Sequence, residues 1–182
     1  LEGKFKPFFL NIGRLDSGKN QAMLIRVVAN LNDERVTLGI LGKGPLQGEL
    51  QNLIDELGVG ERVRLLGTDK NPFKFIKNAQ CFLCASRFEG FSNVLLEALA
   101  CERFIISTDH KSGARELLGD DEYGVLTPVD DEKAMETAMR RALEDENLRR
   151  DYEKRAYGRV VKFDKNAVAA QLIGYLEGEN GE

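Results

Sequence analysis

Hydrophobic positions along the chain alternate between two periods. Short, nearly continuous apolar runs cover 7–12, 36–41, 63–66, 81–85, 104–108 and 124–127. Strands covered on both faces read this way, because both side-chain rows enter a core. Between them, apolar residues recur at helical spacing. Met23, Leu24, Val27, Val28 and Leu31 predict a helix over 20–30; Leu46, Leu50, Leu53, Ile54 and Leu57 predict one over 46–57, stopped by Gly58. Short helices are expected over 71–77 and 93–100, with a turn of helix near 114–118. Two charged amphipathic helices follow over 131–145 and 146–162, and Asp164 reads as the N-cap of a last helix through Leu176. Strand–helix–strand alternation predicts an α/β domain: a doubly wound, Rossmann-like parallel sheet of six strands with helices on both faces. Residues 1–6 and 177–182 read as linker or frayed ends of a single domain. Ligands of such folds sit outside the carboxyl ends of the strands, which is where functional residues are sought.

Composition narrows the field. The 182 residues carry 26 Lys and Arg against 30 Asp and Glu, a net charge of -4. That argues against a nucleic-acid partner, which needs a basic footprint. No run approaches the ~20 apolar residues of a membrane span. The start lacks both an initiator Met and an apolar signal core, so the chain reads as part of a longer one. Three cysteines and one histidine fit a reducing, cytoplasmic setting. Cys81 and Cys84 form a C-x-x-C, yet they lie on a strand, where positions three apart face opposite ways. They are expected to be buried structural thiols, and a Cys3His metal site with Cys101 and His110 is disfavoured.

The loops after the strands hold the candidate chemistry. After the first strand, Gly13 permits close backbone approach, and Arg14 and Lys19 place two cations on the loop that opens a helix. A diphosphate suits them, since Arg offers a fork of donors and Lys a point charge. Taken alone, the loop also reads as a solvated basic turn. Gly42 and Gly44 after the second strand fit a ligand approach or a plain turn. The segment 86–100 is the most informative. Gly90 makes a turn, Ser92 or Asn93 caps a helix, and the helix N-terminus forms an anion site. That helix is apolar apart from Glu97, so a buried carboxylate is expected to accept hydroxyls near the cap, as from a ribose. Glu89 lies on the same rim. A glycosidase carboxylate pair accounts less well for the cationic loop. The absence of Asp-x-Asp disfavours a metal-dependent diphosphate site.

These stretches, in order and spacing, resemble one family. Gly13-Arg14-x4-Lys19, Glu89-x7-Glu97 with Gly90-Phe91-Ser92-Asn93 between, Gly42-x-Gly44-Pro45, the run from Val63 to Gly67, and Ser107-Thr108-Asp109 are similar to the C-terminal half of retaining glycosyltransferases of family 4, of the two-domain GT-B type. The combination Ser107-Thr108-Asp109-x-x-Ser112-Gly113 is similar to bacterial enzymes that build surface polysaccharides and lipid-linked oligosaccharides. The resemblance implies that Arg14 and Lys19 hold a diphosphate and stabilise charge on the leaving group. It implies that Glu97 holds the ribose hydroxyls and that Glu89 contacts the donor sugar. Gly13 and the backbone of Gly90, Phe91, Ser92 and Asn93 would approach the sugar and phosphates. The nucleobase would lie against Arg64, Leu66 and Asp69. The Ser107–Gly113 loop departs from the Gly-Gly form common in the family. The implied reaction moves a hexosyl unit from a nucleotide diphosphate sugar, with UDP the first expectation, to an acceptor hydroxyl, with no cofactor and no metal. The acceptor, a glycan or lipid-linked sugar, would be held by an N-terminal half absent from this sequence. This chain alone would then bind nucleotide with little turnover, and the full-length protein could sit peripherally at the inner membrane. Two alternatives stand beside this: a nucleotide-sugar epimerase of similar fold, and a non-catalytic nucleotide-sugar-binding module.

Overall fold

The computed structural model describes residues 5–110 and 113–163; the helix expected from Asp164 to Leu176 lies outside them. Six strands form one sheet: β1 (Phe9–Ile12), β2 (Leu38–Leu41), β3 (Val63–Leu65), β4 (Cys81–Cys84), β5 (Phe104–Thr108) and β6 (Val125–Thr127). Seven helices lie between and after them: α1 (Gln21–Leu31), α2 (Gln47–Glu56), α3 (Phe73–Asn78), α4 (Asn93–Ala100), α5 (Ala114–Leu118), α6 (Glu132–Glu144) and α7 (Glu146–Val161). The expected elements that fall within the described residues are all present, with ends shifted by a residue or two. The first two strands begin later than their apolar runs. There Phe8 donates its N–H to the Thr37 hydroxyl (2.8 Å) rather than to a ladder partner.

The strand order is β3-β2-β1-β4-β5-β6, and every pairing is parallel. The chain therefore winds outward in one direction from β1 and then restarts at β4. Leu10 is paired with Gly39 on one side and Phe82 on the other, so the β1/β4 boundary is where the winding reverses. Crossover loops part there and leave a crevice at the carboxyl edge.

Two cores cover the sheet. Phe9, Leu38, Ile40, Cys81, Leu83, Phe104 and Ile106 face one core, shared with α1, α2 and α6. Leu10, Leu41, Phe82, Cys84 and Ile105 face the other, against α3, α4 and α5. Side-chain alternation thus sends Cys81 and Cys84 to opposite faces, as the spacing predicts. Each fully buried Leu or Phe contributes about 1.5–3 kcal/mol of transfer free energy. Helix α7 lies across one end, giving Tyr152 to the first core and Ala156 to the second. Asp131 and Asp145 start α6 and α7, each accepting a backbone N–H three residues ahead at 2.8 Å.

Candidate functional site

The loop after β1 is seated before it is functional. Gly13 donates its N–H to the Leu41 carbonyl (3.0 Å), Leu15 to Lys43 (3.1 Å), and Leu46 returns a bond to Leu15 (3.1 Å). A Cβ on Gly42 would stand 1.9 Å from the Gly13 carbonyl oxygen, and one on Gly44 2.3 Å from that of Leu15. The close approach these glycines permit is therefore to the cationic loop itself. The sequence leaves a ligand approach and a plain turn both open; the structure shows a neighbouring backbone.

Across Gly13 lies the stem of Lys19, whose Cγ, Cδ and Cε would all touch a Cβ there at 3.5–3.7 Å. The stem carries the ammonium over the switch point to the loop after β4, where Nζ sits 2.8 Å from Oε1 of Glu89. The buried Ser86 hydroxyl donates to the same oxygen. Burial pushes the Glu89 carboxyl up. The Lys19 and Ser86 hydrogen bonds and the Lys19 charge outweigh it, so the carboxyl lies below its ordinary 4.5. Glu89 is thus an ionised, heavily engaged carboxylate. Beneath it, Thr108 Oγ1 donates to the Ser86 carbonyl (2.6 Å) and Asn11 Nδ2 to that of Leu83 (2.8 Å), fixing the end of β4.

Ser92 occupies the N-cap of α4, but its side chain makes no capping bond to the helix, and its buried hydroxyl has no hydrogen-bond partner among the described residues. The first turn of α4 is therefore uncapped by any side chain and adjoins the Lys19–Glu89 pair. Gly113, at φ 114°, passes so close that a Cβ would be 2.8 Å from the Gly90 carbonyl oxygen. Phe91 and Asn93 are exposed at this rim, and the Phe91 ring tilts against Phe163 at 5.9 Å. Helix α4 is less enclosed than its composition suggests: Leu95, Ala98 and Leu99 are buried, whereas Glu97 is half-buried. Strand β5 and helices α5 and α7 pack against it. Burial pushes the Glu97 carboxyl above its usual range, and no other group offsets that shift.

A second cleft, of about 310 Å³, opens over the ends of β1 and β2, lined by Gly13, Arg14, Lys43, Thr68, Asp69 and Pro72 among others. Arg14 is largely exposed here, its nearest ionic partner being Asp16 at 3.7 Å. Asp69 accepts from the Asn71 N–H (2.9 Å) and the Lys74 ammonium. Two of the expected nucleobase contacts lie elsewhere. Arg64 stacks over the Phe5 ring at 4.6 Å on the edge strand β3, and Leu66 packs against the second core. The site residues thus fall into two neighbouring groups: Gly13, Arg14 and Asp69 in the cleft, and Lys19, Glu89, Gly90, Phe91, Ser92 and Asn93 at the switch point. Arg14 and Lys19, expected to converge on one spot, have separate ionic partners.

Cys84, Glu89 and His110 place candidate ligand atoms within 4.8 Å of one another. His110 is buried, and neither of its ring nitrogens has a hydrogen-bond partner among the described residues. Cys81 faces the other core, and Cys101 is not in the group, so the Cys3His set does not assemble. A cation in the observed cluster would stand against the Lys19 ammonium already held by Glu89.

Sequence reasoning missed Arg87 and Asp130. The Arg87 N–H donates to the Gly18 carbonyl (2.8 Å) and Nη1 to Ser17 (2.9 Å), while Nε reaches both Asp130 oxygens (2.8 and 3.1 Å). Asp130 Oδ1 also accepts from Asn20 (2.8 Å). Nothing in the sequence singles them out beyond the position of Arg87 two residues before Glu89.

Comparison with known proteins gives a consistent picture. The family described as Glycosyl transferases group 1 matches residues 2–159. The chain is 50% identical over 171 residues to N-acetylgalactosamine-N,N'-diacetylbacillosaminyl-diphospho-undecaprenol 4-alpha-N-acetylgalactosaminyltransferase of Campylobacter jejuni, covering 94% of this chain and 47% of that protein. It is 34% identical over 167 residues to the alpha-1,4-N-acetyl-D-galactosaminyltransferase of the same organism named for GalNAc-alpha-(1->4)-GalNAc-alpha-(1->3)-diNAcBac-PP-undecaprenol, covering 90% and 46%. The crystal structure of Anabaena HepE in complex with UDP matches with a TM-score of 0.85 at 23% identity, over 95% of this chain and 49% of that one. The catalytic domain of the cholesterol-alpha-glucosyltransferase from Helicobacter pylori matches with a TM-score of 0.72 at 20% identity, over 86% and 99%. At these identities the solved structures show the fold alone. The chain spans about half the length of the curated relatives it matches.

Proposed function

Because the chain belongs to the glycosyl transferases group 1 family and has the Rossmann-like architecture of one half of a GT-B fold, we propose that it is the donor-binding half of a retaining hexosyltransferase. In this reading the donor is a UDP-sugar, and the acceptor is a hydroxyl of a glycan or of a lipid-linked saccharide. The relative at 50% identity transfers N-acetylgalactosamine, which makes UDP-GalNAc the first donor to test. UDP as the nucleotide is supported by the structural neighbours solved with it. No helix among the described residues is long and apolar enough to cross a membrane, so contact with a lipid-linked acceptor is assigned to the other half and to peripheral association.

The observation that carries this reading is the Lys19 ammonium held by Glu89 beside the uncapped first turn of α4. As the sugar–phosphate bond breaks, negative charge grows on the β-phosphate. A fixed ammonium, the Arg14 guanidinium from the adjoining cleft and the helix dipole stabilise that charge more in the transition state than in the ground state. That supplies without a metal what a divalent cation would otherwise provide. Glu89, already engaged by Lys19 and Ser86, serves in this reading to orient the ammonium and the sugar, not as a covalent nucleophile. In this reading the half-buried Glu97 accepts the ribose hydroxyls. Titration of the chain with UDP, GDP, ADP and UDP-GalNAc, read calorimetrically, tests the proposal. Binding of the uridine compounds that weakens in Lys19→Ala and Arg14→Ala is expected. Absence of any nucleoside diphosphate binding at millimolar concentration would overturn it.

A further inference from the structure

Lys19 can serve a phosphate only if the loop carrying it is held still. The contacts that hold it come from elements remote in sequence. Arg87, one residue beyond Ser86, reaches back over the switch point to two consecutive carbonyls of the loop, those of Ser17 and Gly18. Its guanidinium is anchored by Asp130, which lies between β6 and α6. Asp130 in turn binds Asn20, the residue after Lys19. Both sides of the ammonium-bearing residue are therefore tied to one Arg–Asp unit.

The backbone corroborates the device. Asn20 adopts φ 51° at the N-cap of α1, and Asp130 adopts φ 61°. Asn and Asp tolerate this left-handed region better than other residues with a β-carbon, yet it still needs local support. Asn20 makes no capping bond to α1; its amide goes to Asp130 instead. The side chain that would ordinarily stabilise the helix start is used to fix the loop.

We propose that Arg87 and Asp130 are positioning residues that act through Lys19, holding its ammonium at the place where the donor's diphosphate binds. The proposal rests on the donor-binding reading and adds to it two residues that need not touch the ligand. The Arg87 and Asp130 side chains are 41% and 52% exposed, so the ion pair itself contributes little to global stability. The clamp is expected to act on loop order, and hence on binding.

The test is a double-mutant cycle on UDP affinity, joined to a proteolysis readout that needs no ligand. Arg87→Ala and Asp130→Asn should each weaken UDP by about tenfold while leaving the melting temperature nearly unchanged. Arg87→Lys should recover little, because an ammonium cannot replace the guanidinium fork. In a Lys19→Ala background the same substitutions should have almost no further effect, since their influence passes through the missing ammonium. Trypsin should cut after Lys19 faster in Arg87→Ala and Asp130→Asn than in the parent chain. Effects that add fully to Lys19→Ala, or unchanged cleavage at Lys19 in both variants, would overturn the inference while leaving the donor reading intact. Failure of the parent chain to bind UDP would instead overturn the donor reading, and accelerated cleavage would still support the clamp.

Discussion

The Lys19 ammonium and the Glu89 carboxylate meet at 2.8 Å across the β1/β4 boundary, with only 27% and 9% of their side chains exposed. The pair joins the two loops that a phosphate would have to bridge. Its geometry makes each residue dependent on the other. Lys19→Ala removes the counter-charge of the enclosed Glu89 carboxylate and should cost about 1–3 kcal/mol of stability in urea unfolding. Glu89→Gln added to that variant should restore part of the loss, because the unpaired charge is gone. Equal, additive losses would show that the two residues do not interact in solution.

The acid limb of stability follows from the same pair. Glu89 has a folded-state carboxyl lowered below its ordinary 4.5, so its contribution is fully present above that value. It is lost as pH falls through the lowered folded value. Parent and Glu89→Gln stability curves should therefore converge in that acid window and separate above it. Curves parallel from pH 7 to pH 2 would contradict the assignment.

Glu97 has the opposite sign. Burial raises its folded-state carboxyl, so ionisation works against the fold. Below the ordinary 4.5 both states are protonated and nothing is at stake; the penalty grows as pH rises through the raised folded value. Glu97→Gln should therefore stabilise the chain at neutral pH, by less than about 1 kcal/mol given its solvent exposure. The gain should vanish in acid. The same substitution should weaken UDP binding, which is the trade expected of a carboxylate kept for a ligand. A thermal-denaturation series from pH 3 to 8 beside a binding titration measures both.

Much of this architecture was legible in the chain because both sheet faces are buried. The near-continuous apolar runs gave all six strands, and the alternation within one of them placed Cys81 and Cys84 on opposite cores. Helix α4 was found to its last residue. The strand order was not legible, since period alone does not say which runs are neighbours. At the site, residue chemistry pointed to Lys19 and Glu89, but not to their pairing. Gly42 and Gly44 were ambiguous because sequence shows that a close approach is permitted, not what approaches. Arg87 and Asp130 were invisible for a different reason: bonds spanning 43 and 110 positions join residues that each look like ordinary solvated charge or polar loop.

Gly44 offers a test of the seating of the cationic loop. A methyl group there would collide with the Leu15 carbonyl, amide nitrogen and carbon, all within 2.7 Å, and backbone cannot rotate aside as a side chain can. Gly44→Ala should lower stability by about 3 kcal/mol. Gly48→Ala, on the exposed side of α2 with open space around it, should be neutral or slightly stabilising. Comparable melting temperatures for the two variants would refute the packing of Leu15 onto the turn after β2.

The two clefts make different demands on the arginines, and this separates the geometry from the family resemblance. Arg14 is exposed at the mouth of the cleft with only a loose contact to Asp16, so its guanidinium is free to meet a phosphate or uracil. Arg64 is turned to the outer edge of β3, over Phe5. Gly13, Lys43 and Asp69 line the cleft, and Arg64 is not part of that lining. Arg14→Ala should therefore weaken UDP by about tenfold, the loss of one charge-assisted phosphate bond, while Arg64→Ala should change it by less than about twofold. If Arg64→Ala proved the more damaging, the base would have to lie over the edge strand, and the cleft between the ends of β1 and β2 would lose its assignment.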